Sequence, residues 1–245
     1  MHAMLAAALK GFFPLLLTPY TERAELDVPV LVREAEFAAE KGAAGIIWPT
    51  AGEVETLESL GEYRAGLEAL AVAAAEGRFK ATLTAICPGK TSSQAIERAK
   101  FACGLGKRHG LEIASLARPP DDATNQTMMA EHYRALGHAV DCPVIIQTYN
   151  KKSPQPDVKL LIDLAAEFPG VYGWVKEESP GLQVNGRMKE LLAASPVIKT
   201  VFSGWGGKGC PHGLFLAPDP LPAEHLCPDG GTAAGGKGTD AVPLL

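Results

Sequence analysis

Two segments of the 245-residue chain end apolar runs on residues able to do chemistry. In VYGWVKEES the run closes on Lys176. Burial among apolar walls disfavours an ammonium ion, and the neutral amine it leaves is a nucleophile toward carbonyl carbon. The plainer counterpart is a solvated lysine just past a strand. In WPTAGEVETL an apolar run gives way to Pro49, Thr50, Ala51, Gly52 and Glu53. A glycine-containing turn lets backbone N–H groups approach an anion, and a threonine hydroxyl adds a donor. Taken alone, that segment is also an ordinary strand-to-helix loop.

Secondary structure has to deliver these residues to a common place. Strand candidates cover residues 12–17, 45–49, 80–87, 111–116, 143–148, 171–175 and 199–203. Helical periodicity fills the gaps at 28–41, 59–75, 92–107, 127–140, 157–167 and 184–194. Most strand candidates are nearly continuous apolar runs, the pattern of a parallel sheet covered on both faces. They recur at about 30 residues, the length of one βαβ unit. Seven strands in strict alternation predict a (β/α)8 TIM-type barrel, with a Rossmann-like open sheet as the alternative. In such a barrel the active site forms at the C-terminal ends of the strands, which is where Lys176 and Thr50 fall. The eighth strand and the C-terminal helices are expected to be lacking or altered. Residues 206–245 hold 15 Gly or Pro in 40 positions, against 30 in the 205 before them, and nothing there reads as a strand. The expected organisation is a barrel domain over 1–207 and an irregular Gly/Pro-rich tail over 208–245. A truncated form or an altered reading frame would each produce such a tail.

Composition removes several function classes. Hydrophobic residues make up 47% and charged residues 21%, and the formal net charge is −5. That balance gives no pull toward nucleic acid or an anionic membrane. No apolar run reaches the roughly 18 residues of a membrane span, and the apolar start lacks the basic flank of a signal peptide. The five cysteines (Cys87, Cys103, Cys142, Cys210, Cys227) include no CxxC pair, a pattern that suits a reducing cytoplasm better than a disulfide scaffold or a zinc site. His132 and His138 are six apart on one helical segment, where a metal pair wants a spacing of three or four, so both read as packing or solvent-facing. The run from Gly204 to Gly209 fits G-x-G-x-x-G, but neither the following helix nor the acidic partner of a dinucleotide site is present. Residues 231–237 approach a phosphate-binding loop, yet Gly238 stands where a hydroxyl must ligate magnesium.

Four segments, in order, together resemble the dihydrodipicolinate synthase / N-acetylneuraminate lyase superfamily over about residues 10–207. GFFPLLLTPYTERAELD is similar to its first strand and turn. WPTAGEVETL resembles its G-T-T-G-E-x-x-x-L segment, VYGWVKEES its G-I-K-E-x-S segment, and VFSGWGG the strand with its S-G-x-x motif. The resemblance implies that Lys176 forms an imine with the ketone of a 2-oxo acid. Thr50, with the backbone of Ala51 and Gly52, would hold the carboxylate, and Thr50 would also pass protons. Ser203 and Gly204 would line the substrate, and Glu53 would tie the turn together. Glu178, beside the lysine, is expected to be exposed and is given no role.

The departures from the family bear on the reaction. The synthase's two consecutive threonines become Thr50 and Ala51, and its Pro-Tyr-Tyr after the fourth strand becomes Arg118-Pro119-Pro120-Asp121. The fifth-strand pattern I-L-Y-N-x-P leaves two placements open for its tyrosine: Gln147, by counting from Pro143, or Tyr149, from the literal Tyr-Asn pair. On the first placement Lys152 falls where the synthase has an arginine for a carboxylate. The expected function is a Schiff-base aldolase or dehydratase acting on pyruvate or a 2-keto-3-deoxy acid, without metal or organic cofactor. The small-molecule substrate is its expected partner, in a homo-oligomer (dimer or tetramer). Dihydrodipicolinate synthase proper is one alternative, and a non-catalytic 2-oxo acid binding or regulatory protein is the other.

Overall fold

The computed structural model describes residues 9–179 and 183–204. The expected tail over 208–245 lies outside the described residues, as does any eighth strand beyond Gly204. In chain order the elements are α1 (Val28–Glu40), β1 (Gly45–Trp48), α2 (Val54–Ser59), α3 (Glu62–Ala75), β2 (Thr82–Ile86), α4 (Ser92–His109), β3 (Ile113–Ala117), α5 (Gln126–Ala139), β4 (Val144–Gln147), α6 (Val158–Glu167), β5 (Trp174–Glu177), α7 (Gln183–Ala193) and β6 (Thr200–Ser203). The strands form one parallel sheet in the order β1-β2-β3-β4-β5-β6, each joined to the next through helix. This is the TIM-type barrel architecture expected from the alternation.

The first strand candidate lies beside β1, reduced to a single parallel bridge, Leu15 with Ile47. The Leu16 N–H donates to the Ile47 carbonyl at 2.9 Å, and the Ile47 N–H donates to that of Pro14 at 2.9 Å. Phe13 of this segment meets Phe202 of β6 edge-on, with centroids 5.2 Å apart. The two ends of the sheet therefore curl toward each other.

Local chemistry sets the helix boundaries. Asp27, Thr91 and Asn125 each accept a backbone N–H of the first turn they precede, in α1, α4 and α5. The helix expected over 59–75 is present from Glu62 to Ala75, and a separate short helix, α2, precedes it. Gly61 sits at φ +75°, a conformation open to glycine and strained for other residues, and it ends α2 before α3 begins. Between α4 and the loop before β4, Cys103 and Cys142 form a disulfide, their Cα atoms 5.6 Å apart. This pairing corrects the reading of the cysteines as unbridged.

Alternation along each strand, carried across the sheet by the register, sorts the side chains into two faces. Trp48 and Ile113 point at the helices: a Cβ at Gly66 of α3 would run into the Trp48 ring, and one at Gly106 of α4 would touch Ile113. The other face holds Ile145, Trp174 and Thr200 at one level and Gln147, Lys176 and Phe202 at the next. Both faces are apolar and closed along most of the sheet, with β3 buried along its whole length.

Candidate active site

Because every strand runs the same way, all C-terminal ends lie on one rim, and β5 carries Lys176 one residue before its end there. Lys176 is level with Gln147 of β4 and Phe202 of β6, on the inner face. Its Nζ lies 3.2 Å from Glu178 Oε1, with side chains only 16% and 13% exposed. Glu178 is thus not the surface residue expected from the sequence. Two residues apart on extended backbone, Lys176 and Glu178 project to the same side. The Gln147 amide Nε2 donates to Glu178 Oε2, and the Glu178 backbone N–H donates to Thr148 Oγ1 at 2.9 Å. Gly204 completes the arrangement: a Cβ there would collide with the Glu178 side chain, which lies across it.

Glu177 points the other way and is fully buried. Its Oε1 accepts from Thr148 Oγ1 at 3.3 Å and from the Ser179 N–H at 2.8 Å, and also from the Ser179 hydroxyl. Arg187 of α7 donates to its Oε2 at 3.2 Å and to the Pro156 carbonyl at 2.8 Å. The Gly204 N–H donates to the Glu177 carbonyl at 3.2 Å, tying β6 to the same point. These bonds fix the strand end on which Lys176 and Glu178 sit. Sequence reasoning missed this network. The alternation in Lys-Glu-Glu-Ser was its one visible signal.

Thr50 follows β1 by two residues, on the same rim. Its N–H donates to Glu53 Oε2 at 3.1 Å, and the Thr18 hydroxyl donates to the same oxygen at 3.1 Å. The Trp48 indole donates in turn to Thr18 at 3.2 Å. Glu53 ties this turn together, which leaves the Ala51 and Gly52 amides and the Thr50 hydroxyl as its polar groups for an anion.

Other expected site residues are placed less directly. Gln147, not Tyr149, is level with Lys176; Tyr149 lies two residues beyond the end of β4. Gln147 Oε1 is buried with no hydrogen bond among the described residues. Lys152 is committed elsewhere, its Nζ 2.7 Å from Asp121. Asp121 also accepts from Asn150 Nδ2 at 3.0 Å and faces Arg118 at 3.6 Å. Burial acts to raise its carboxyl, but the Lys152 and Asn150 hydrogen bonds and the cationic charge outweigh that and hold it below the ordinary range. Ser203 is level with Glu177, so its side chain turns away from Lys176.

Elsewhere, a cavity of about 430 Å³ between α1 and α3 is lined by Val32, Arg33, Val72 and Arg78 among others, and holds no nucleophile. Among the described residues, no group of three or more His, Cys, Asp or Glu is placed to hold a metal ion. Nor is any described helix long and apolar enough to cross a membrane.

A parallel α/β barrel with a half-buried lysine and carboxylate at its C-terminal rim defines a class of protein. The particular family follows from comparison: residues 8–198 match the Dihydrodipicolinate synthetase family, and the chain belongs to it. It is 28% identical to the 4-hydroxy-tetrahydrodipicolinate synthase of Methylococcus capsulatus, over 82% of this chain and 66% of that protein. It is 30% identical to that of Exiguobacterium sibiricum, over 88% of this chain and 72% of that protein. The crystal structure of dihydrodipicolinate synthase from Aquifex aeolicus superposes with a TM-score of 0.67 at 26% identity, covering 80% of this chain and 63% of that one. The fold is shared also with the 2-keto 3-deoxygluconate aldolase from Picrophilus torridus, at TM-score 0.66 and 19% identity, over 80% of this chain and 67% of that one. The chain therefore spans about two thirds of the length of these relatives.

Proposed function

We propose that this chain is a lyase in which Lys176 forms a Schiff base with pyruvate or a related 2-oxo acid. The reaction is aldol cleavage, condensation or dehydration of a 2-keto-3-deoxy acid. The observation that carries this reading is the position of Lys176: inner face, C-terminal rim, 16% exposed, in contact with a carboxylate. An imine at C2 withdraws electrons from C3, so the protein needs no other electron sink. The Thr50 hydroxyl and the Ala51 and Gly52 amides hold the substrate carboxylate in this scheme, with Gly204 lining the opposite side. Gln147 contacts the substrate from β4, where its free Oε1 accepts from a hydroxyl. Tyr149, Lys152 and Ser203 keep only the roles their places allow, at the edge of the site.

Synthase activity proper is disfavoured by an amide level with Lys176 and by an Arg118–Asp121 cluster where the synthase pattern has Pro-Tyr-Tyr. Membership of the family supports the lyase class and a homo-oligomer of two or four chains. The test is to incubate the full chain with pyruvate and sodium borohydride and map the adduct by mass spectrometry. A reduced pyruvate adduct on Lys176, absent from Lys176→Ala, is the expected result. A folded protein that gives no adduct with pyruvate or with longer 2-oxo acids would overturn the assignment.

A further inference from the structure

Imine formation and everything after it require protons to move at two atoms, the lysine nitrogen and the C3 carbon. The rim offers few groups for that work. The residue level with Lys176 on β4 is Gln147, whose amide does not titrate. Among the described residues Glu178 is the one carboxylate within ion-pair reach of Lys176 Nζ, at 3.2 Å. It is also held in place. Thr148 fixes its backbone, Gln147 fixes one carboxylate oxygen, and Gly204 leaves the space its side chain fills. The oxygen bonded by Gln147 is Oε2, so Oε1 alone faces the amine.

Building on the Schiff-base reading above, we infer that Glu178 is the catalytic acid and base of this site, moving the protons of imine formation and taking the C3 proton of the bound 2-oxo acid. The ammonium of Lys176 gives a proton to the Glu178 carboxylate, leaving an amine and a carboxylic acid. The amine nitrogen bonds to C2, the carbonyl π pair goes to oxygen, and one nitrogen proton passes to that oxygen to give a carbinolamine. Glu178 returns its proton to the hydroxyl as the C–O bond breaks, so water leaves and a protonated imine remains beside the carboxylate. Glu178 then takes a proton from C3. The C–H pair becomes the C2–C3 double bond, and the C–N π pair returns to nitrogen as the enamine lone pair. In dehydration the carboxyl group, now protonated, gives that proton to the departing C4 hydroxyl, which leaves as water. In cleavage the carboxylate instead takes the C4 hydroxyl proton as the C3–C4 bond breaks to aldehyde and enamine, and then gives it to C3.

Gln147 has a supporting part. By donating to Oε2 it aims Oε1 at the nitrogen and the neighbouring carbon without competing for the proton. Acid–base capacity on β4 is thereby replaced by capacity on β5, and a chain without the expected tyrosine keeps a proton relay.

The test measures two events separately in the full chain, with pyruvate as the probe. Borohydride trapping reports the imine on Lys176. Loss of the pyruvate methyl signal in D2O, followed by proton NMR against Lys176→Ala, reports removal of the C3 proton. In Glu178→Gln the adduct on Lys176 still accumulates, more slowly, while methyl exchange falls by at least about 100-fold, the scale of a lost general base. Glu178→Asp, which keeps the carboxylate, restores exchange to within about tenfold of the unmodified chain and guards against a Gln variant that misfolds. Trapping with unchanged exchange in Glu178→Gln would refute the role of Glu178 and leave the lyase reading intact. No trapping in the unmodified chain would remove both.

Discussion

His132, on the inner side of α5, sets a pH limit on the stability of the scaffold. Its ring is 1% exposed, with Nδ1 2.9 Å from the Ser92 hydroxyl at the start of α4. Nε2 is buried with no hydrogen-bond partner among the described residues, and the ring packs edge-on against Tyr133 at 4.8 Å. Burial pushes the imidazole down to about 4, against a smaller upward pull from Asp122. An unfolded chain titrates this histidine near its ordinary value of about 6.5. Between those values the unfolded state binds a proton that the folded state does not, so stability rises with pH across the window. The contribution is fully present above about pH 6.5 and is lost as pH falls to about 4; at 1.36 kcal/mol per unit it amounts to about 3 kcal/mol. In His132→Asn the amide keeps the bond to Ser92 and removes the titration. The truncated ring lowers stability at pH 7, by about 1–2 kcal/mol for the lost packing. The gap between the two proteins should close by about 3 kcal/mol on going to pH 4, so that Asn equals or exceeds His there. Urea unfolding followed by far-UV circular dichroism at half-unit pH steps gives both curves, and carboxylates common to the two proteins cancel in the difference. Parallel curves from pH 7 to 4 would refute the buried, neutral assignment.

Two further outcomes follow from single side chains. Arg98, 2% exposed on α4, bonds Glu55 at 2.7 Å, Glu58 at 3.2 Å and the Pro88 carbonyl, and so clamps α2 behind the Thr50 turn. Arg98→Met should destabilise the chain by about 3 kcal/mol, the lower end for a broken buried pair because water reaches both carboxylates; a urea midpoint shift worth under about 1 kcal/mol would count against the clamp. The Cys103–Cys142 bridge closes a loop with a sequence separation of 39, for which chain entropy gives about 4 kcal/mol. Protein purified without reductant should therefore show two fewer thiols on denaturation, and Cys103→Ser should melt at lower temperature. Equal thiol counts with and without reductant would instead favour the reducing compartment expected from composition.

The alternation of apolar runs and helical stretches was enough to place all six strands of the sheet and every described helix around them but Val54–Ser59. The caps at Asp27, Thr91 and Asn125 close the helices at or within a residue of the starts that periodicity gave. What escaped was decided by partners distant in sequence or by backbone geometry. Val54–Ser59 is too short to show a period, and the break at Gly61 comes from backbone geometry inside a run that otherwise continues. The pairing of Cys103 with Cys142 exists only once α4 packs beside the loop before β4. Lys176 was legible because an apolar strand ends on it. Glu178 was not, because an acidic residue past a strand is ordinarily solvated. Its burial depends on Gln147, 31 residues earlier, and on the missing Cβ of Gly204, 26 residues later.

Adjacent glutamates at the end of β5 thus serve opposite faces of one strand. Alternation turns Glu177 toward α7, where Arg187, Ser179 and Thr148 satisfy its charge, and turns Glu178 toward the amine, where Gln147 satisfies one oxygen and the other faces Nζ. Thr148 links the two, donating to Glu177 while accepting from the Glu178 backbone. A buried, fully bonded carboxylate resists displacement, since breaking its pair strands an uncompensated charge. Glu177 therefore fixes the position from which Glu178 reaches Lys176. On the Schiff-base reading, this pairing explains how the rim tolerates an amide at Gln147. On that reading the acid–base carboxylate sits on a strand end anchored from behind, with Gly204, which has no side chain, leaving it room to lie against the lysine.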